Sequence, residues 1–156
     1  MEINKLEDLQ TREYWDQRYS NEEDDATYDW FKNFSTLEMI LTPHFPSHEA
    51  RILELGCGNS DLSPSLHAAG YRNVTGIDFS PTLVGQMSRR HPQVSWIEMD
   101  IREMVQRADV LGGPVSWDVI IDKGTLDALV AERGSVWDPS EAVRENARCE
   151  MDGVLQ

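Results

Sequence analysis

The spacing of apolar positions changes character near residue 51. Upstream, the chain is aromatic rather than periodic, with Tyr14, Trp15, Tyr19, Tyr28, Trp30, Phe31, Phe34 and Phe45, interrupted by the acidic run Glu22-Glu23-Asp24-Asp25. Disordered segments are poor in aromatic residues. Residues 1–50 are therefore expected to form an ordered arm or helix pair packed on the remainder, with the acidic run as a solvated loop. Downstream, short apolar runs alternate with helical spacing. Arg51-Ile52-Leu53-Glu54-Leu55 reads as a buried strand entering the tight turn Gly56-Cys57-Gly58-Asn59. Leu62, Leu66 and Ala69 follow at helical intervals, closed by Gly70. Asn73 to Asp78 is a second strand, and Ser80-Pro81 is an N-cap with proline at the first helical position, opening a helix to about Arg90. Val94 to Met99 predicts a third strand, Ile101 to about Val110 a helix broken by Gly112-Gly113-Pro114, and Trp117 to Ile121 a fourth strand.

Strand and helix alternate with short connections, the signature of βαβ units. The fold class is thus α/β, a Rossmann-like, doubly wound and mostly parallel sheet over residues 51–156. Asp138-Pro139 is expected to open a last helix whose apolar positions Val143, Ala147, Met151 and Val154 turn one stripe toward the sheet. No fifth strand follows this helix, so the pattern reads as a doubly wound domain truncated after its fourth strand. That strand is then expected at an unprotected sheet edge, open to self-association.

Charge narrows the partners. The 156 residues carry 28 acidic and 14 basic side chains, a net charge of −14. The excess concentrates at the start, where residues 1–50 hold 12 acids against 4 bases. Such a balance argues against a nucleic-acid binder, which needs a basic patch, and against adhesion to an anionic membrane. No stretch approaches the roughly 18 apolar residues of a membrane span. Met1 to Lys5 looks like neither a signal nor a transit peptide. Two cysteines, Cys57 and Cys149, are too few for a disulfide framework and match no metal spacing. The expectation is two reduced thiols, no metal, and a cytoplasmic or nuclear setting.

Candidate chemistry gathers at the turn after the first strand. Gly56 and Gly58 lack the Cβ that would keep a ligand away from the backbone, and the following helix start offers free N–H groups. Asp78 ends the second strand 22 residues after Gly56, where an acid can accept hydrogen bonds from ribose hydroxyls. A dinucleotide fingerprint would require glycine at position 61, which is Asp61 here. A pyrophosphate would meet the wrong charge. Glu54 just ahead of the turn points the same way. A cationic nucleoside without phosphates, such as S-adenosylmethionine, suits these acids better than a nicotinamide dinucleotide, while a tight turn with no ligand is the plain alternative. Asp100 ends the third strand, where it can accept from an adenine amino group with Ile101 flanking the ring, or cap the next helix. Asp122 and Lys123 end the fourth strand at the mouth of such a site, or simply begin a helix.

These motifs carry a resemblance. Glu54-Leu55-Gly56-Cys57-Gly58-Asn59-Ser60, Gly76-Ile77-Asp78-Phe79-Ser80 and Met99-Asp100-Ile101 resemble the first three motifs of class I, seven-β-strand S-adenosylmethionine-dependent methyltransferases. Trp117-Asp118-Val119-Ile120-Ile121-Asp122-Lys123-Gly124-Thr125-Leu126-Asp127-Ala128-Leu129, with Glu13 to Tyr19 and Tyr28 to Phe31, is similar to the eukaryotic lysine methyltransferases acting on elongation factor 1-alpha. The resemblance implies that Trp15, Tyr19 and Trp30 line and cover the cofactor, although core packing is the ordinary role of such aromatics. It further implies that Gly56 meets the methionine part, Asp78 and Phe79 take the ribose and adenine, Asp100 and Ile101 bind the adenine, and Lys123 closes the site. Family members continue into three more strands, which are missing from this sequence.

The expected activity is therefore methyl transfer from S-adenosylmethionine, leaving S-adenosylhomocysteine, to a lysine of a protein substrate such as elongation factor 1-alpha. Proximity and orientation dominate such a displacement. Asp122 and Asp127 are candidates for holding the substrate amine. A non-catalytic module that binds cofactor or partner without turnover is the competing expectation.

Overall fold

A computed structural model of the chain describes residues 5–23 and 25–155. Met1–Asn4, within the stretch read for a leader, lie outside the described residues, as do Asp24 of the acidic run and Gln156. Four parallel strands form the sheet: β1 (Arg51–Leu55), β2 (Asn73–Asp78), β3 (Ser95–Glu98) and β4 (Val119–Asp122), in the order β3-β2-β1-β4. Among the described residues, six α-helices accompany them: α1 (Arg12–Asn21), α2 (Phe34–Leu41), α3 (Leu62–Ala68), α4 (Pro81–Arg90), α5 (Thr125–Leu129) and α6 (Glu141–Val154). The doubly wound reading is correct. The chain leaves β1 for β2 on one side and returns to place β4 on the other, so a topological switch lies between β1 and β4. Among the described residues, β4 pairs only with β1.

Side-chain alternation along the strands divides the core between the two faces of the sheet. Ile52, Val74 and Ile121 pack on one face against Leu62 and Leu66 of α3, with Tyr71 and Val94. Leu53, Leu55 and Ile77 pack on the other against Met99, Ile101, Met104, Leu111 and Leu129. In β1 every residue after Arg51 is buried, as expected for an inner parallel strand covered on both sides. A third cluster joins the arm to the domain. Tyr14, Trp15 and Tyr19 of α1 are buried with Leu83 and Met87 of α4. Asp16 locks that contact, accepting from Ser80 Oγ at 2.6 Å and from the Thr82 N–H at 3.3 Å. Ser80 caps α4 and Pro81 opens it, as the sequence predicts.

Three features depart from expectation. Residues 101–110 do not form one helix. They make short 3-10 turns at Ile101–Glu103 and Ala108–Leu111. Only Ile101, Met104 and Leu111 of this segment are buried, too sparse a stripe to hold a continuous helix, and 3-10 turns serve as such connectors. The cap of α6 is Ser140, whose hydroxyl accepts from the Val143 N–H, and not Asp138. Asp138 instead reaches Arg144 at 2.9 Å. Finally, the buried face of α6 is Val143, Asn146 and Glu150, while Met151 is 46% exposed. Polar residues occupy this face because Asn146 is satisfied by the Leu129 carbonyl at 2.9 Å and Gln10 Oε1 at 3.2 Å, partners that periodicity cannot reveal.

Candidate functional site

The register of the sheet brings the candidate acids to one edge. Leu55 pairs with Asp122 and Asp78 with Glu98, so the turn after β1 and the ends of β2, β3 and β4 open side by side. A cleft forms there, outside the carboxyl ends of the strands and at the switch point, where ligands of open α/β sheets bind. It is lined by Trp15, Tyr19, Trp30, Glu54, Gly56, Gly58, Asp78, Phe79, Asp100, Ile101, Lys123 and Asp127. Every residue singled out from the sequence except Asp122 therefore faces one space.

The floor is the glycine turn. Gly56 and Gly58 adopt φ values of +50° and +53°, a left-handed conformation that side chains disfavour. At Gly56 a Cβ would also lie 2.2 Å from Thr125 Oγ1. That hydroxyl donates to the carbonyls of Leu55 at 2.8 Å and Gly56 at 3.2 Å, tying the turn to α5. Asp78 fixes the turn from the other side. Its carboxylate accepts from the Gly58 N–H at 3.1 Å and the Ser80 N–H at 2.9 Å, leaving further lone pairs for a ligand. Burial raises its pKa to about 6 against those two hydrogen bonds. Glu54 is 1% exposed and accepts a hydrogen bond from Ser63 Oγ at 2.5 Å. Burial pushes it up to about 7. Two buried acids under the turn make the floor a place for positive charge.

Asp100 lines the cleft and also caps the following turn, accepting from the Arg102 N–H at 3.0 Å and pairing with its guanidinium at 2.5 Å. Burial works against the ionised form, but Arg102 outweighs it and holds the carboxyl below its usual range. Asp122 has the role of a helix start. Its carboxylate accepts from the N–H groups of Gly124, Thr125 and Leu126 at 2.9, 3.1 and 2.9 Å.

The roof comes from the arm. Trp15 and Tyr19 are buried on α1, their rings stacked 5.9 Å apart. The strap of residues 25–31 crosses above them, carrying Tyr28 and Trp30. Sequence reasoning missed what holds it. The Arg18 guanidinium lies against three rings, 5.2 Å from Trp15, 5.3 Å from Tyr28 and 6.0 Å from Trp30, a set of cation–π contacts. Arg90 grips the carbonyls of Asp25 and Ala26 and the hydroxyl of Thr27. Asn59 binds the Ala26 carbonyl and Glu22. Asp29 takes the Ser60 hydroxyl at 2.6 Å and Lys123 Nζ at 3.2 Å. Asp29 sits in Tyr28-Asp29-Trp30-Phe31, one of the stretches that carry the family resemblance, but nothing in its spacing pointed to these contacts.

Comparison with known proteins agrees with this architecture. Residues 52–149 match the family model described as a methyltransferase domain. The chain is 42% identical over 131 residues to the mouse protein named EEF1A lysine methyltransferase 4, covering 82% of this chain and 49% of that protein. It is 32% identical to the human eEF1A lysine and N-terminal methyltransferase, covering 77% of this chain and 17% of that one. The chain thus spans about half the length, or less, of these relatives. Among solved structures, a SAM-dependent methyltransferase from Anabaena variabilis superposes with a TM-score of 0.54 at 18% identity, covering 96% of this chain and 58% of the other. A protein from echinomycin biosynthesis, solved in work on conversion of a disulfide bond into a thioacetal group, gives 0.60 at 19%, covering 92% and 57%. The two superpositions speak to the fold. The match over residues 52–149, on a sheet whose glycine turn and strand-end acids converge on one cleft, makes this chain a member of the methyltransferase domain family.

Proposed function

We propose that the cleft binds S-adenosylmethionine and that the domain is the cofactor-binding part of a protein lysine methyltransferase acting on elongation factor 1-alpha. The observation that carries this reading is the pairing of a left-handed glycine turn with two buried carboxylates, Glu54 and Asp78, beneath it. A ligand with an ammonium and a sulfonium but no phosphate complements that floor, whereas a pyrophosphate would face acids where it needs donors. The names of the relatives, which specify eEF1A lysine as the target, support the substrate assignment.

The residues divide the work. Gly56 and Gly58 let the backbone approach the amino-acid part of the ligand, and Glu54 supplies the opposing charge. Asp78 accepts the ribose hydroxyls, with Phe79 beside the base. Asp100 accepts from the adenine amino group while Ile101 packs on the ring. Trp15, Tyr19 and Trp30 exclude water from above, and Lys123 anchors the strap that holds Trp30. When bound, the cofactor supplies a methyl group attached to a positively charged sulfur. Asp122 and Asp127 stand at the end of β4 and the start of α5 to receive a basic side chain. Reaction requires the lysine in its neutral, nucleophilic form, so the protein's task is to align the amine and help it lose a proton.

Calorimetric titration with S-adenosylhomocysteine tests the cofactor. Saturable binding is expected, with no heat from NAD. Tight NAD binding, or silence with S-adenosylhomocysteine, would sink the assignment. Incubation with labelled S-adenosylmethionine and elongation factor 1-alpha tests the transfer, and methyl-lysine in the acceptor is the expected product.

A further inference from the structure

One ring is held at the mouth of the cleft by a strained backbone that burial does not repay. Phe31 ends the strap at φ +65° although it is not glycine. The Lys32 N–H donates to the Trp30 carbonyl at 2.9 Å, closing a three-residue turn about Phe31. A positive φ at the centre of such a turn is the rare and strained form. The side chain is nevertheless 67% exposed, so packing returns little. Strained residues of this kind persist where their surroundings impose them, and they collect at ligand sites. The surroundings here are specific. The Trp30 carbonyl also accepts from Lys123 Nζ at 3.2 Å, which fixes the turn to the end of β4. Beneath the ring lies Gly124, itself at φ +95°, where a Cβ would come within 2.9 Å of Phe31 Cε2. Two segments far apart in sequence thus both adopt left-handed backbone to seat this ring.

The ring lines the cleft, at an end that the cofactor reading leaves free. Asp100, Asp78 and Gly56 commit the ends of β3, β2 and β1 to the base, ribose and amino-acid part of the ligand. The sheet order β3-β2-β1-β4 leaves the end of β4. There the strap contributes Trp30 and Phe31, and the domain contributes Gly124 and Asp127. Lys123, the cation at this end, is engaged by Asp29. What remains is an exposed aromatic surface and a carboxylate. Resting on the lysine methyltransferase reading above, we propose that Phe31 walls the passage by which the substrate lysine enters, its ring along the aliphatic stem, with Asp127 receiving the ammonium. A lysine side chain is an apolar stem with a compact charge at its tip. An aromatic ring serves both parts, by apolar contact and by the attraction of its face for a cation. The net charge of −14 favours approach of a basic segment.

The experiment uses the whole chain saturated with S-adenosylhomocysteine, with ring-labelled phenylalanine, and Nα-acetyl-lysine methylamide as the probe. Saturable shifts of the Phe31 ring resonances are expected, with nuclear Overhauser contacts to the methylenes of the probe. The norleucine counterpart, which lacks the ammonium, should bind more weakly. Phe31→Ala keeps the Cβ, and with it the backbone strain, but removes the ring. It should bind the probe about threefold more weakly, the worth of an exposed ring beside a cation, and Phe31→Tyr should restore the affinity. S-adenosylhomocysteine affinity should stay within about twofold in both variants, as for sites that do not touch. Unchanged probe affinity in Phe31→Ala, equal binding of the norleucine compound, or no binding of the probe to the loaded chain would overturn the proposal. A loss of S-adenosylhomocysteine affinity in Phe31→Ala would overturn it too, making the ring a cover for the cofactor. Ring shifts that follow protein concentration and not the probe would make it a contact between copies of the chain. Failure of S-adenosylhomocysteine to bind the unmodified chain would strike instead at the cofactor assignment, so the two failures are told apart.

Discussion

The floor and the roof of the cleft enclose the same space by opposite means. The floor is main chain: a left-handed turn, a strand-end carboxylate bonded to two N–H groups, and a hydroxyl bonded to two carbonyls. It rests on β1 and β2, which are buried beyond their first residues. The roof is side chain: aromatic rings around one guanidinium, and a strap held by Arg90, Asn59, Ser60 and Lys123. Tyr28, Trp30 and Phe31 remain 48%, 37% and 67% exposed. The floor is therefore preorganised, and a change there is felt by fold and ligand together. The strap of the roof, residues 25–31, has the character of a closure laid over the buried Trp15 and Tyr19, with exposed surface and few buried apolar contacts of its own, the kind of segment that opens locally at low free-energy cost.

The largest effect is expected where the floor is tightest. Gly56→Ala adds a Cβ 2.2 Å from Thr125 Oγ1 at a residue with φ +50°. Left-handed strain and overpacking add, for a loss of about 2–5 kcal/mol in denaturant unfolding. A loss below about 1 kcal/mol would mean that the turn can relax and is not the fixed platform described. Asp78→Ala comes next. It removes the proposed ribose acceptor and strands the Gly58 and Ser80 N–H groups. Affinity for S-adenosylhomocysteine should fall by about 1–3 kcal/mol, the range for lost charge-assisted hydrogen bonds. Unchanged affinity by calorimetry would remove Asp78 from the site.

The floor was also the more legible region. The bounds of β2, the Ser80-Pro81 start of α4 and the inward alternation of β1 follow from patterns local to the chain. The cleft itself was readable because strand-end acids and a glycine turn are forced to one edge by parallel topology. What escaped depends on partners far apart in sequence. Asn146 and Glu150 look solvent-facing on a helical wheel, and become interior only because Leu129 and Asp122 come to meet them. Asp138-Pro139 satisfied every rule for a cap, but Ser140 wins because its own N–H is taken by Glu132 and its hydroxyl reaches Val143. Arg18 and Asp29, the pins of the roof, belong to no periodic pattern.

The pH response separates the two regions further. Glu54 titrates near 7 in the fold against an ordinary 4.5, because burial disfavours its charge. The folded chain thus holds a proton that the unfolded chain has released between about pH 4.5 and 7. Stability should decline as pH rises through that window and be fully relieved below it. Ligand binding should move oppositely, because the ammonium group of the ligand's amino-acid part favours ionised Glu54. S-adenosylhomocysteine affinity is expected to rise about tenfold between pH 5.5 and 8, and Glu54→Gln should flatten the profile. A flat profile in the unmodified protein would show that the ligand's charge lies elsewhere.

Unpinning the roof should cost less. Lys123→Met breaks the pair with Asp29, whose partners are 10% and 18% exposed, and releases the Trp30 carbonyl. Stability should drop by only about 1–2 kcal/mol, between the values for exposed and buried pairs. Amide exchange should accelerate in residues 25–32 and not in β1 or β2, with faster dissociation of S-adenosylhomocysteine. Acceleration across the sheet would show that roof and floor open as one unit.

The smallest effect is expected at Phe31, whose backbone holds φ +65° although it is not glycine. Its ring is mostly solvated and leans over Gly124, where a Cβ would come within 2.9 Å of Phe31 Cε2. Phe31→Gly removes left-handed strain of about 1 kcal/mol and loses a partial ring contact, while the freer unfolded chain offsets part of the gain. The net change in thermal unfolding should stay within about 1 kcal/mol. If the roof is a closure over a finished floor, its strained tip can be relaxed with little change in stability, and what changes is how long the closure lasts. A destabilisation beyond about 2 kcal/mol would contradict this, because only rings packed into the core carry that much, and the division between floor and roof would have to be redrawn with residue 31 below the line.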